Sequence, residues 1–286
     1  MSDNIVLGVD IGGSHITAAL VDITNGRILE DSTHREKVDS LADAGQIIQS
    51  WIAVMSKSLQ SAPNSRKIAI AMPGPFDYEN GISLIKGVGK YDALYGMNVR
   101  TLLLSQLLDN EHEISFVNDA ACFLQGEISY GPAAAYQEVV GFTLGTGFGS
   151  AIGQGGHVLD ADFWCHPFMG GICEDFFSSR WFVSTYNNYS GLKVNNVREL
   201  ILNVDLGGSL LQVFDEFSMN MGIFLTQLYK KYKFECVVLG GNISNASTLF
   251  LPQLKYYLQT MAISVPVYIS SKGENAALIG AACSVL

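Results

Sequence analysis

The sequence predicts an α/β fold of two like-folded halves, each with a mixed sheet flanked by helices, with a ligand cleft between them. Two observations support this prediction. Strand-like apolar runs alternate with helix-like periodic segments along the 286 residues. In addition, the strand, glycine turn and strand at residues 5–29 are repeated in layout, but not in letters, by "EVVGFTLGTGFGSAIGQGGHVL". We predict a first domain over 1–119, a second over 120–269, with the boundary near Ala120–Gln137, and a closing helix over about 270–286 that joins the first.

The first half is predicted from its apolar periodicity and its Gly/Pro punctuation. It begins with a strand at residues 5–9, a glycine turn at 12–14, a second strand ending at Asp22 and a third strand near 26–37. A helix over about 41–59 and a buried strand in "KIAIAM" follow. The half ends with a helix in "NVRTLLLSQLL" and a strand that runs into a helix at Asn118 and Asp119.

The second half is predicted in the same way. It comprises the strand–turn–strand unit from Glu138, a strand with a glycine turn in "ECVVLGGNISNAS", and a strand, loop and closing helix in "PVYISSKGENAALIGAACSVL".

Composition excludes several classes of partner. A net charge of −10 argues against nucleic acid and anionic membranes, because both select basic surfaces. No window has about 18 uninterrupted apolar residues, and the first residues lack the basic start of a signal peptide. Five scattered cysteines without a CxxC pair indicate reduced thiols and a cytoplasmic protein. A mean hydropathy of +0.23 is compatible with a homodimer, although no residue identifies its surface.

The two glycine turns suggest phosphate binding. A single glycine turn is ordinarily only a tight turn, and "VDIGGSH" matches neither GxxxxGK[ST] nor GxGxxG. Neither Ile5–Gly26 nor Val139–Ser179 contains a Lys or Arg. A polyphosphate site built from these turns would therefore use backbone N–H groups and a bound Mg²⁺. Asp10 ends its strand where it could hold that ion, most naturally through water, because Mg²⁺ gives up its water reluctantly.

Six segments, taken together, resemble the ROK family of repressors, open reading frames and kinases, which consists mostly of sugar kinases. They are "DIGGS", "PGPFDYENG", "VNDAACFLQGE", "TLGTGFGSAI", "VLGGNIS" and "ENAALIGAA", and the resemblance covers about residues 5–286. It implies two domains of the actin-like ATPase (ribonuclease H-like) fold. It also implies an ATP site whose residues are Asp10, Gly12, Gly13 and Ser14 (first phosphate motif), Gly145, Thr146 and Gly147 (second phosphate motif), and Gly240, Gly241 and Asn242 (adenosine motif).

The same resemblance implies a sugar site. Asp119 corresponds to the family's catalytic base, which takes the proton of the acceptor hydroxyl, and Asn118 would bind a sugar hydroxyl. Helix capping is the competing interpretation of this pair. His166 and Glu174 match further sugar ligands. Gly74 would let the backbone approach the sugar, although a plain turn explains it equally well.

The segment "DADFWCHPFMGGICEDFFSSR" departs from the family pattern. Phe163 replaces a sugar-binding glutamate, and Ile172 stands where the last cysteine of a zinc cluster should be. We expect no structural zinc, because a closed site needs four regularly spaced ligands, and we interpret Cys165 and Cys173 as small core residues. Phe163 and Trp164 would instead offer apolar surface to the sugar, which favours a substituent such as N-acetyl.

The sequence therefore predicts ATP- and Mg²⁺-dependent phosphorylation of a hexose or N-acetylhexosamine. The alternative is a catalytically impaired sugar-binding or regulatory protein of the same family without a DNA-binding domain. A sugar-sensing repressor is disfavoured, because the first strand begins at residue 5 with no basic helix before it.

Overall fold

The computed structural model describes residues 4–107, 111–202 and 208–285. The chain divides into two compact units: the first extends to Ala134 and includes the residues from Glu274 onward, and the second is Ala135–Gly273. The division thus falls after Ala134, inside the expected boundary region Ala120–Gln137 and later than Asp119. The reason is that the helix beginning at Asp119 packs against the last helix of the chain, which is part of the first unit.

The first unit is built on a sheet with the strand order β3-β2-β1-β5-β8, and β4 also pairs with β2. Strands β1, β5 and β8 are parallel, whereas β2 is antiparallel to β1. The strands are β1 (Ile5–Ile11), β2 (His15–Asp22), β3 (Arg27–Ile28), β4 (His34–Lys37), β5 (Lys67–Met72), β6 (Phe76–Asp77), β7 (Ile82–Ser83) and β8 (Glu113–Asn118). The helices are α1 (Ala44–Leu59), α2 (Val99–Leu104), α3 (Asp119–Tyr130) and, from the end of the chain, α9 (Asn275–Cys283).

Helix α1 shows how the local sequence produces these elements. Asp43 caps it by accepting a hydrogen bond from the backbone N–H of Gln46 at 3.0 Å. Its predicted apolar stripe is buried in the core of the first unit, where Trp51 packs edge-on against Tyr91. The predicted third strand is realised as the two short strands β3 and β4. The helix predicted in "NVRTLLLSQLL" is α2, and the last residue of that stretch, position 108, lies outside the described residues.

Close packing of α3 on α9 requires glycine. A Cβ at Gly280 would lie 1.7 Å from the carbonyl oxygen of Cys122. Any side chain there would force the helices apart, so this contact holds α3 in the first unit.

The second unit has a sheet with the order β11-β10-β9-β14-β15, covered by helices. The strands are β9 (Glu138–Leu144), β10 (Phe148–Gln154), β11 (His157–Asp160), β12 (Pro167–Phe168), β13 (Gly171–Ile172), β14 (Cys236–Gly240) and β15 (Val267–Ile269). The helices are α4 (Glu174–Phe177), α5 (Ser179–Ser190), α6 (Val197–Leu202), α7 (Ser209–Tyr232) and α8 (Ser247–Thr260). The 24-residue α7 supplies the aromatic centre of this core through Phe214, Phe217 and Phe224.

All five cysteines are free thiols. In the described ranges, no helix combines the length and apolar character needed to cross a membrane.

Candidate active site

The parallel strands of the first unit bring its predicted site residues to one edge of the sheet. In the β1–β5 register Asp10 pairs with Ala71, and in the β5–β8 register Met72 pairs with Asn118. The carboxyl ends of these strands therefore meet, and ligands of α/β proteins characteristically bind at such an edge. The Gly12–Ser14 turn and Asp119, the first residue of α3, follow directly.

Asp10 and Asp119 are the two acids at this edge. Burial raises the pKa of Asp10 to about 7, and the negative charge of Asp119 adds to the shift. Burial also raises the pKa of Asp119, whereas the charge of Lys90 and the N–H of Ala120 oppose the shift. That N–H donates to Asp119 Oδ1 at 2.9 Å. Both residues are only partly buried by their accessible surface.

Asn118 is a helix cap in the structure. Its Oδ1 accepts from the N–H of Ala121 at 3.0 Å, and its Nδ2 donates to Tyr78 Oη at 3.2 Å. Tyr78 Oη in turn donates to the carbonyl of Met72 at 3.1 Å and lies 3.4 Å from where a Gly74 Cβ would be. The Asn118 amide is thus held in place on both sides, and its contact with a sugar remains a prediction, as does the role of Gly74.

The Gly12–Ser14 turn is exposed at its tip and anchored by a tyrosine from another segment. Tyr91 Oη donates a 2.6 Å hydrogen bond to the carbonyl of Gly12. A Cβ at Gly12 would lie in van der Waals contact with the carbonyl oxygen of His15, and one at Gly13 with Cδ of Lys90, each at 3.5 Å, while Gly13 and Ser14 themselves are exposed. Ser14 Oγ lies 2.9 Å from Nδ1 of His15. The turn therefore presents backbone that a ligand could approach closely.

Two cations near this edge were missed by the sequence reasoning. The positive charge of Lys90 acts on Asp119, and that of Arg35, which is paired with Glu274, acts on Asp10. The expectation that only amide dipoles and Mg²⁺ supply positive charge here is therefore incomplete. Both cations come from segments outside the hairpin, and the only sequence signal for Lys90 is the glycine-rich stretch "KGVGKYDALYG".

In the second unit, β9 and β10 form the predicted hairpin with Gly145–Gly147 at its turn. The N–H of Gly145 donates to the carbonyl of Gly147 at 3.1 Å, and Thr146 is exposed at the tip. The carbonyl of Gly145 accepts two hydrogen bonds from Ser179, one from its N–H at 2.7 Å and one from its Oγ at 2.8 Å. The start of α5 thus fixes the turn.

The predicted adenosine motif lies beside this hairpin. Strand β14 is parallel to β9, and Gly240 pairs with Thr143. Gly241 has φ +81°, and a Cβ on it would lie 2.4 Å from the carbonyl oxygen of Leu144, so only glycine fits. Asn242 follows as an exposed residue at the start of a short 3-10 helix.

Glu174 contacts the same hairpin. Its Oε2 accepts from the N–H of Phe148 at 3.2 Å and lies 2.9 Å from the position of a Gly147 Cβ. The carboxylate therefore packs on the turn, a contact that the sequence did not predict. His166 is exposed, and its ring lies against that of Phe163, with 6.1 Å between centroids.

The expectation that Phe163 offers apolar surface to a sugar is wrong. Phe163 is buried in the core of the second unit, near Phe224 and Tyr232. Its neighbour Trp164 points outward and is 46% exposed. Consecutive residues of this short helical turn project in different directions, so Phe163 packs in the core while Trp164 faces away from it.

The cysteines of this segment differ in environment. Cys173 is buried, as predicted, and burial raises the pKa of its thiol to about 12. Cys165 is exposed, so its interpretation as a core residue is wrong. Among residues 4–107, 111–202 and 208–285, no group of three or more His, Cys, Asp or Glu side chains could hold a metal ion.

Comparison with known proteins gives a consistent result. The model of the ROK family matches residues 6–286. N-acetyl-D-glucosamine kinase of Photobacterium profundum is 24% identical, with 96% of this chain and 97% of that protein covered. Beta-glucoside kinase of Klebsiella pneumoniae is 27% identical over 96% and 94%. The crystal structure of a ROK family glucokinase from Streptomyces griseus, in complex with glucose and AMPPNP, superposes with a TM-score of 0.79 at 21% identity, covering 97% and 98%.

Proposed function

Because the chain belongs to the ROK family, we propose that it is an ATP-dependent sugar kinase that phosphorylates a hydroxyl of a hexose or N-acetylhexosamine. The predicted family and the predicted α/β fold class are both confirmed. The observation that carries the proposal is the sheet edge of the first unit, where the base candidate Asp119, the second acid Asp10 and an exposed glycine turn lie together.

Asp119 is the proposed catalytic base. Its Oδ1 accepts the N–H of Ala120, which leaves Oδ2 to accept the proton of the attacking hydroxyl. As that hydroxyl oxygen bonds to the γ-phosphorus of ATP, the bond to the β–γ bridging oxygen breaks and ADP leaves. The raised pKa of Asp119 suits this role, because a base whose pKa lies closer to the working pH accepts a proton more readily.

Asp10 is the proposed Mg²⁺ residue, acting through water. Two carboxylates that meet in a partly buried site repel one another, and hard oxygen donors of this kind suit Mg²⁺. When bound, the ion would offset phosphate charge. Asp10 would orient the ion's water ligands and, through the fixed end of β1, hold them relative to the glycine turn.

Backbone groups are the proposed nucleotide contacts. In the first unit these are the amides of Gly12, Gly13 and Ser14. In the second unit they are Gly145, Thr146 and Gly147 for phosphates, and Gly240, Gly241 and Asn242 for adenosine. No atom of the described residues lies within 4 Å of a Cβ built on Gly145, which supports close approach of a ligand to that turn.

His166 and Glu174 are the proposed sugar ligands of the second unit, and Asn118 and Gly74 those of the first. Oε2 of Glu174 accepts the N–H of Phe148, and Oε1 lies 3.9 Å from Nη2 of the exposed Arg180, so Oε1 is the less tightly held oxygen and the one proposed to accept from a sugar hydroxyl. Since Phe163 is buried, Trp164 is the exposed aromatic that could contact an N-acetyl group. Relatives named N-acetyl-D-glucosamine kinase and beta-glucoside kinase support a substituted hexose.

The test is a coupled ADP-release assay with glucose, mannose, fructose, allose and the N-acetyl derivatives of glucosamine and mannosamine. We expect turnover of at least one sugar, and a loss of kcat of about 10³-fold in Asp119→Asn, since general base catalysis contributes 10²–10⁴-fold. Asp215→Asn, at an exposed acid of α7, is the matched control and should retain activity. Sugar binding without turnover would instead favour the regulatory alternative. Unchanged activity in Asp119→Asn would show that Asp119 is not the catalytic base.

A further inference from the structure

The segment between β7 and α2 is fixed against the Gly12–Ser14 turn by Tyr91. The N–H of Tyr91 donates to the carbonyl of Ser40 at 2.7 Å, and its Oη donates to the carbonyl of Gly12 at 2.6 Å. The ring is fully buried, and its backbone adopts φ +57°. The residue before it, Lys90, is therefore held beside the turn by a rigid neighbour.

The side chain of Lys90 follows the turn. Its Cδ lies 3.5 Å from where a Cβ of Gly13 would be, so the aliphatic stem passes over the outer face of this glycine. Lys90 is only partly exposed, and none of the ion pairs found in the described ranges involves it. Its ammonium group, two bonds beyond that Cδ, is thus a cation near the exposed tip of the turn without a fixed anionic partner among the described residues.

The charge of Lys90 also acts on Asp119, where it opposes the effect of burial on the pKa of that carboxyl. One side chain therefore lies within electrostatic range of the proposed base while its stem touches the glycine turn. The other lysine of the same loop behaves differently: Lys86 is exposed, and its Nζ lies 4.6 Å from the centroid of the Tyr95 ring.

We propose that Lys90 is a further catalytic residue, whose ammonium group contacts the γ-phosphate of the nucleotide and the phosphoryl group in transfer. This inference rests on the proposed function. A phosphoryl group passing from the glycine turn to a hydroxyl at Asp119 must lie near both, and Lys90 contacts the turn while its charge acts on Asp119. The hairpin from Ile5 to Gly26 contains no Lys or Arg, so Lys90 supplies the cationic charge that its amides lack.

The expected effect follows from the chemistry of the step. Negative charge is spread over the equatorial oxygens of the transferring group, and a preorganised cation there stabilises the transition state more than the substrate. Lys90→Met should therefore lower kcat about 100-fold and leave the KM for the sugar within about threefold. Lys90→Arg, which keeps the charge, should recover part of the rate, and Lys86→Met is the matched control that should change neither.

Nucleotide binding provides a second measurement that does not depend on turnover. Titration of each protein with Mg-AMPPNP and with Mg-ADP gives the ratio of the two affinities, which reports contact with the γ-phosphate. We expect a preference for AMPPNP in the wild type and in Lys86→Met, and a roughly tenfold smaller preference in Lys90→Met, the loss expected for one charge-assisted contact.

The two proposals fail in different ways. If the wild type phosphorylates a sugar and Lys90→Met retains both its kcat and its AMPPNP preference, the role of Lys90 is overturned and the kinase assignment stands. A rise in sugar KM at unchanged kcat would place Lys90 on the sugar and also overturn the inference. If the wild type turns over no sugar but Lys90→Met alone loses the AMPPNP preference, the γ-phosphate contact stands and the kinase assignment falls. A wild type that binds neither nucleotide overturns both.

Discussion

The two glycine hairpins of this chain share one backbone design and differ in what surrounds it. β1 pairs with β2, and β9 with β10, as antiparallel strands around a short turn. The first turn has an acid at its base, Asp10, a tyrosine beneath it and a lysine over its outer face. The residues of the second turn, Gly145–Gly147, are uncharged. The turn is held by hydrogen bonds to Ser179 and Glu174 from the helices that follow.

The difference indicates that a glycine hairpin offers backbone amides to an anion, and that residues from other segments determine what else happens there. Exposed backbone amides can bind phosphate in either hairpin. Within the described parts of the chain, only the first has acids with raised pKa values and a nearby unpaired lysine, the combination that proton transfer and charge stabilisation need. Under the proposed function, the first hairpin would therefore take part in phosphoryl transfer as well as phosphate binding, whereas the second would only bind the nucleotide.

The largest expected effect in this comparison is that of Asp10→Asn. It should lower kcat by about 10²-fold and raise the Mg²⁺ concentration needed for half-maximal rate, because the carboxylate that orients the ion is lost. Asp22→Asn, at the far end of the same hairpin, is the control and should keep the rate. Mg²⁺ titration of the coupled assay measures both variants. Equal rates for Asp10→Asn and the wild type would contradict the division of roles.

Glu174→Gln tests the second hairpin. One carboxylate oxygen holds the N–H of Phe148, a role that the amide oxygen of glutamine can keep, while the charge available to a sugar hydroxyl is lost. We expect the KM for the sugar to rise about tenfold, the cost of one hydrogen bond to a charged group. The control is Asp175→Asn, whose carboxylate also accepts a backbone N–H, that of Ile172 at 3.1 Å. An altered KM for ATP at constant sugar KM would mean that Glu174 serves only the turn.

Tyr91→Phe removes the hydroxyl that anchors Gly12 and leaves the buried ring in place. The lost hydrogen bond should cost about 1 kcal/mol of stability and lower kcat/KM about fivefold by loosening the turn. Tyr95→Phe, at an exposed tyrosine of the same loop, should change neither quantity. Thermal unfolding combined with the coupled assay separates the two effects, and an unchanged kcat/KM would show that the anchor is only structural.

The smallest expected effect concerns stability and pH in the absence of Mg²⁺. The folded pKa of Asp10 is about 7 against an ordinary 3.8, so folding favours its protonated form. Its contribution to stability is therefore full below about pH 4 and is lost as the pH rises through 7. Asp10→Asn should unfold at the same temperature as the wild type near pH 4 and a few degrees higher at pH 8.

Asp22→Asn should have the opposite sign. Hydrogen bonds from Thr24 lower the pKa of Asp22, so its ionised form favours the folded state above the ordinary pKa. This variant should be slightly less stable than the wild type at pH 8 and equal to it in acid. Thermal unfolding followed by circular dichroism across this pH range tests both signs, and a parallel response of the two variants would refute the burial argument for Asp10.

Local patterns in the sequence were sufficient to find most strands of the two main sheets, but they did not predict β11 or the helices α4–α8 of the second unit. The apolar run into Asp10, the turn at Gly12–Ser14 and the junction at Asn118 depend on residues adjacent in the chain, so periodicity and turn chemistry reveal them. The residue types at this junction also allow Asn118 to be a helix cap, and the structure shows that cap. The fit of Gly241 against Leu144 was not predicted, because it depends on the pairing of β14 with β9.

Taken alone, the sequence determined the family, the α/β class and the positions of the acids and glycine turns, because these are set by spacing along the chain. Only the tertiary structure decided which remote residues surround them: Lys90 and Tyr91 beside the first turn, Glu174 on the second, and Phe163 in the core instead of at a sugar. The physical reason is that side-chain direction, burial and charge proximity arise when distant segments pack, and none of these is encoded in the spacing of neighbouring residues.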